Sequence, residues 1–157
     1  MIQHLSIKNY TLIKDVEVDF NEGLTVITGE TGAGKSIIID ALHLALGGRA
    51  DTNAIRTGEK SAIIEALFYI DDFYIRKLLQ GLGIDLENGE LIIKRNLSTN
   101  NKNRIFINSS NVTLGTLAQI GDRLVDIHGQ HDHQTLLHPE LHIDLLDAYG
   151  KLLDERK

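Results

Sequence analysis

A chain of 157 residues with 42% hydrophobic content suits one domain and can bury roughly 70% of its unfolded surface around one core. It contains no cysteine, which excludes a disulfide framework, thiolate metal ligands and a thiol nucleophile. The net charge of −6 gives no electrostatic footprint for nucleic acid over the whole chain, so any DNA contact must be local or lie outside it. No apolar run reaches the roughly 18 residues of a membrane helix, and the start lacks the regions of a signal peptide. A soluble, cytoplasmic protein is expected.

Taken in order, Leu5 and Ile7 alternate with His4 and Ser6, and Val16, Val18 and Phe20 alternate with Asp15, Glu17 and Asp19. Each stretch predicts a strand with one wet face, joined through the polar turn Lys8 to Thr11. Asn21 to Gly23 then turns the chain into Leu24 to Ile27, an apolar run bounded by turn residues and hence a predicted buried strand. Next comes Gly29-Glu-Thr-Gly-Ala-Gly-Lys-Ser36, which fits the P-loop pattern of two glycines, a lysine and a hydroxyl residue at fixed spacing. Behind it, Ile38, Ile39, Leu42, Ala45 and Leu46 fall close to one helical face, and Gly47-Gly48 stops the helix. Strand, loop and helix therefore follow in the order that the motif requires.

The residue types have a chemical reason. Glycines 29, 32 and 34 permit positive φ and close backbone approach, so successive N–H groups can form a cradle for phosphate oxygens. The start of the helix adds unpaired N–H groups and the positive end of its dipole. Lys35 would reach the β- and γ-phosphates, and the Ser36 hydroxyl would coordinate Mg²⁺. The bland alternative is a glycine-rich turn in front of an ordinary helix.

Beyond the helix, Arg49 to Arg56 is a polar loop whose arginines either reach phosphate or remain solvated charge. Ala62 to Ile70 predicts a strand ending in Asp71-Asp72. That pair imitates a Walker B acid, although capping of the helix predicted over Phe73 to Leu82 is the simpler role. Glu90 to Leu97 and Arg104 to Asn108 predict a hairpin whose Lys94, Arg95, Lys102 and Arg104 form a basic cluster, read as solvated surface. A short helix over Val112 to Ile120, capped by Asn111 or Thr113, precedes a last strand from Arg123 to Ile127. Five of the seven histidines lie between 128 and 142, yet their spacing fits no standard metal pattern. The functional alternative is a strand that ends near the P-loop and presents Gln130 to Mg²⁺ and the attacking water. Leu141, Leu145, Leu146, Tyr149, Leu152 and Leu153 form a helical stripe that runs to the last residue without a stop signal.

Together, Ile2 to Tyr10, Gly29 to Ser36, Leu46-Gly-Gly-Arg-Ala-Asp51 and Val125-Asp-Ile-His-Gly-Gln-His-Asp-His-Gln134 closely resemble the start of the RecN family of bacterial DNA repair proteins. These belong with the SMC-like members of the ABC ATPases, whose globular head is made from the two ends of the chain around a long antiparallel coiled coil. The resemblance implies an α/β P-loop NTPase fold of the ABC/SMC head type, a mixed sheet with an N-terminal antiparallel part, incomplete without its C-terminal half. It places half a head at residues 1–150 and the start of a coiled-coil helix at 151–157. It implies that Gly29, Glu30, Thr31, Gly32, Ala33, Gly34, Lys35 and Ser36 bind ATP. Gln130 falls at the Q-loop glutamine, with Ser36 and Gln130 on the Mg²⁺ of ATP. The implied role is ATP-dependent double-strand break repair and recombination, cytoplasmic and nucleoid-associated. The implied partners are DNA through the full-length protein, the C-terminal half of the head, and a second head in an ATP-dependent dimer.

The chain also departs from such a head. It has no Ser-Gly-Gly signature, and Asp71 is misplaced for a Walker B acid with its adjacent glutamate. Two other classes therefore stay open: a small self-contained P-loop phosphotransferase using Asp71 or Asp72, and a metal-binding module built on the histidine cluster.

Overall fold

A computed structural model of the chain describes residues 1–29, 34–100, 102–127, 146 and 150. Contacts divide the chain into two units, Met1–Val125 and Asp126–Lys157. The first contains β1 (Ile2–Tyr10), β2 (Ile13–Asp19), α1 (Lys35–Ala45), β3 (Ser61–Tyr69), α2 (Phe73–Gly81), β4 (Glu90–Ser98), β5 (Arg104–Ile107), β6 (Ser110–Asn111) and α3 (Leu114–Leu124). In the second, Leu146 and Gly150 are helical.

The strands form one six-stranded sheet in the order β2-β1-β3-β4-β5-β6, and every neighbouring pair is antiparallel. Alternation decides which face is buried. Leu5 and Ile7 of β1 lie opposite Ala66 and Ile64 of β3, which lie in turn opposite Ile93 and Arg95 of β4. All six are buried. The other face is half wet, and there Lys94 pairs with Glu65 across the strands at 2.9 Å.

Helix α1 packs on the sheet against β1, β3 and β4, burying Ala41, Leu44 and Ala45. The predicted face was only partly right, since Ile39 is exposed. The C-terminal end of α1 also meets α3 closely. Gly47, at φ 112°, lies where a Cβ would come within 2.6 Å of the Ala118 backbone, and a Cβ on Gly121 would overlap the Leu46 carbonyl oxygen.

Caps explain several boundaries. Asp72 accepts a hydrogen bond from the Ile75 N–H at 2.9 Å, and Thr113 accepts one from the Thr116 N–H at 3.1 Å, each satisfying a donor that a helix start leaves unpaired. Asn108 and Ser109 both have positive φ, 44° and 69°, the backbone of a two-residue hairpin turn. That turn adds β6, which the sequence pattern did not predict.

Two expectations about strands fail. Leu24 to Ile27 belongs to no strand, and Leu24 and Val26 are 90% and 68% exposed. An apolar run reads as buried only if other strands cover it, and none among the described residues does. The predicted strand from Arg123 to Ile127 is also corrected: Arg123 and Leu124 close α3. The helix continues because Leu117, Ile120 and Gly121 keep a buried face at helical spacing.

Candidate functional site

The eleven-residue helix α1 follows the N-cap Gly34, which adopts φ 96° and ψ −1° and supplies no side-chain cap. A Cβ on Gly34 would meet nothing within 4 Å, so its backbone angle, not crowding, selects glycine there. The first turn holds Lys35 and Ser36 and no acidic residue. The positive end of the helix dipole therefore meets no carboxylate in its own first turn, which suits a phosphate oxyanion. The Lys35 ammonium donates to the Gly29 carbonyl, tying the two ends of the loop together. Ser36 is exposed at the same helix start. Glu30, Thr31, Gly32, Ala33, Gln130 and the histidines from 128 to 142 lie outside the described residues.

The loop after α1 is clamped to the β1–β2 turn. The Thr11 N–H donates to the Ala54 carbonyl at 2.6 Å and the Arg56 N–H to the Asn9 carbonyl at 2.9 Å, while the Arg56 guanidinium donates to the Leu12 carbonyl. Arg56 is thus engaged by backbone, and Arg49 is exposed beside a cavity described below. The Asp71-Asp72 pair resolves in favour of the cap. Asp72 is held at the start of α2, and the exposed Asp71 lies 3.9 Å from Arg76.

Within the hairpin cluster Lys102 and Arg104 are exposed as expected, whereas Arg95 departs from the reading as solvated surface. It is 2% exposed, and its Nη1 donates to the carbonyls of Leu44 at 2.8 Å and Gly48 at 3.1 Å. A cation at the C-terminal end of α1 is favourable, since the last carbonyls carry the negative end of the helix dipole. The signal was present in the sequence: Leu91, Ile93, Arg95 and Leu97 occupy alternate positions, so the period of the strand puts Arg95 on the apolar face.

Burial pulls the Arg95 guanidinium below its usual value, with Tyr10 opposing that shift. Burial also pushes the Tyr10 hydroxyl above the ordinary tyrosine range, with Asp40 and Asp51 adding to the rise and Arg95 opposing it. A folded pKa above the unfolded value of about 10 means that this contribution to stability is fully present below about pH 10. It is lost as pH rises through the raised folded value. Denaturation midpoints should therefore fall above about pH 10, and Tyr10→Phe should make that fall shallower. Equal slopes in the two proteins would remove Tyr10 from the effect.

Residues 4–151 match the family profile described as "AAA domain". The chain is 48% identical to DNA repair protein RecN of Halalkalibacterium halodurans, over 100% of this chain and 29% of the relative. It is 44% identical to DNA repair protein RecN of Bacillus subtilis, over 96% of this chain and 26% of the relative. It thus spans between a quarter and a third of the length of these relatives. Among solved structures, the SMC head domain from Thermotoga maritima aligns with a TM-score of 0.58 at 25% identity, covering 78% of this chain and 41% of that one. A chain described under "Structural biochemistry of ATP-driven dimerization and DNA stimulated activation of SMC ATPases" aligns with a TM-score of 0.64 at 21% identity, covering 92% and 98%. The fold of the described residues agrees with these similarities, and the chain belongs to the AAA domain family.

Proposed function

We propose that this chain is the ATP-binding N-terminal part of an SMC-like ATPase head that acts in DNA double-strand break repair and recombination. The observation that carries the reading is the start of α1, a glycine-led helix N-terminus with Lys35 and Ser36 in its first turn and no acid. It lies in a chain similar to RecN over its whole length. Gly29 to Ser36 hold the phosphates by backbone N–H groups and the Lys35 ammonium. Ser36 and Gln130 supply oxygen ligands to a Mg²⁺ ion, which when bound would neutralise phosphate charge. Gln130 also orients the attacking water.

The remaining parts come from outside the 157 residues. On this reading the C-terminal half of the same head supplies the Walker B acids, and a second head completes an ATP-dependent dimer. A coiled coil from near Lys151 joins the two halves, and DNA is engaged by the full-length protein in the cytoplasm. No helix among the described residues is long and apolar enough to cross a membrane. The capping role of Asp72 removes support from a self-contained phosphotransferase.

Lys35→Ala should weaken ATP binding by about 1.5 to 3 kcal/mol, the range for hydrogen bonds to a charged group. Calorimetry with Mg·ATP checks this. Equal affinity in the wild type and the variant would refute the assignment of the phosphate loop.

A further inference from the structure

A second cationic feature lies apart from the start of α1. Arg49 and Arg95 line a cavity of about 450 Å³, together with Asn103, Asn111 and Thr113 and the apolar Ile105. No carboxylate is among its lining residues, in a chain of net charge −6. Thr113 caps α3, so the cavity opens at the positive end of an eleven-residue helix.

Arg95 supplies the independent observation. The residue is 2% exposed, and Nη1 is committed to the Leu44 and Gly48 carbonyls. Its buried Nε, however, has no acceptor among the described residues. A buried N–H donor left without an acceptor is costly, and a cation with no carboxylate partner more so. An oxyanion entering the cavity from the exposed Arg49 side would offset the Arg95 charge and offer the guanidinium an acceptor. The neutral donors of Asn103, Asn111 and Thr113 suit its remaining oxygens.

We infer that the cavity bounded by Arg49, Arg95 and the start of α3 is a second oxyanion site that takes a phosphate group. The phosphate belongs either to a polynucleotide backbone or to a free phosphate species, for both present the same tetrahedral oxygens to the arginines. The site is independent of the P-loop reading, since it shares none of the residues from Gly29 to Ser36.

The test is a titration of the ¹⁵N-labelled 157-residue chain at low salt, with inorganic phosphate in one arm and a short oligothymidylate in the other. The signals followed are the Arg95 Nε–H, the amides of Leu114 to Thr116, and the Gly34 amide as an internal report on the P-loop. The Arg95 and α3 signals should move together in at least one arm. Arg49→Ala changes an exposed side chain, so its fold should persist, and it should weaken the response at least about tenfold, one charge-assisted hydrogen bond in free-energy terms. Saturation at lower concentration with the oligonucleotide assigns the phosphate to a strand, and a response to inorganic phosphate alone assigns it to a free species. Silence of the Arg95 and α3 signals in both arms while Gly34 responds would overturn the second site and leave the P-loop reading standing. An Arg49→Ala response equal to wild type would overturn it as well.

Discussion

Gly121→Ala should destabilise the first unit by about 3 kcal/mol, the upper part of the usual range for overpacking a closed site. The added Cβ would overlap the Leu46 carbonyl oxygen, and backbone yields less readily than the end of a flexible side chain. Gly115 on the same helix provides the control. A Cβ there would have only Thr113 Oγ1 nearby, at 3.8 Å, so Gly115→Ala should stabilise by about 0.5 to 1 kcal/mol through helix propensity. Urea denaturation of both variants gives opposite signs if the turn after α1 meets α3 as closely as described. Equal and small shifts would refute that close approach.

The largest functional effect concerns turnover. The isolated chain should hydrolyse no ATP above background, whereas a complete head carrying the same Gln130 should do so. Phosphoryl transfer needs a full set of positioning and charge-stabilising groups. Of the acids that could imitate a Walker B pair, Asp72 is spent on a helix cap and Asp71 is exposed beside Arg76. In the complete head, Gln130→Ala should lower kcat about 100-fold, the loss that accompanies a misplaced reactant. ATP affinity should change much less, because a group that orients water acts chiefly in the transition state. Robust turnover by the isolated chain, abolished by Asp71→Asn, would favour the small phosphotransferase. Unchanged kcat after Gln130→Ala would remove the glutamine from the reaction and leave the P-loop assignment intact.

Much of the sheet was legible because alternation is a local signal. Glu90 to Leu97 and Ala62 to Ile70 were placed within a residue or so of β4 and β3. The same period puts Arg95 on the buried face, yet its charge drew the reading toward solvent; the physical answer was a pair of helix-end carbonyls far away in sequence. Leu24 to Ile27 failed for a different reason. A buried strand is defined by its neighbours, and the described residues supply none. The turn at Asn108-Ser109 escaped because asparagine and serine enter the left-handed region without the glycine that usually announces it. At the candidate site, the pattern from Gly29 to Ser36 was visible at once, while the cavity beside Arg49 depends on β4, β5 and the start of α3 meeting in space.

The exposure of Leu24 and Val26 has a consequence for the order of assembly. Among the described residues all six strands pair with one another between Ile2 and Asn111, and the segment that leads into Gly29 contributes no strand to that sheet. The hairpin of β1 with β2 closes a short loop at modest entropic cost, whereas β1 with β3 joins residues as far apart as Ile2 and Phe68 and costs more. On the proposed reading the phosphate loop leads into α1, which lies on β1, β3 and β4. Nucleotide bound at that loop would then stabilise the folded first unit by mass action, holding the start of α1 against the sheet beneath it.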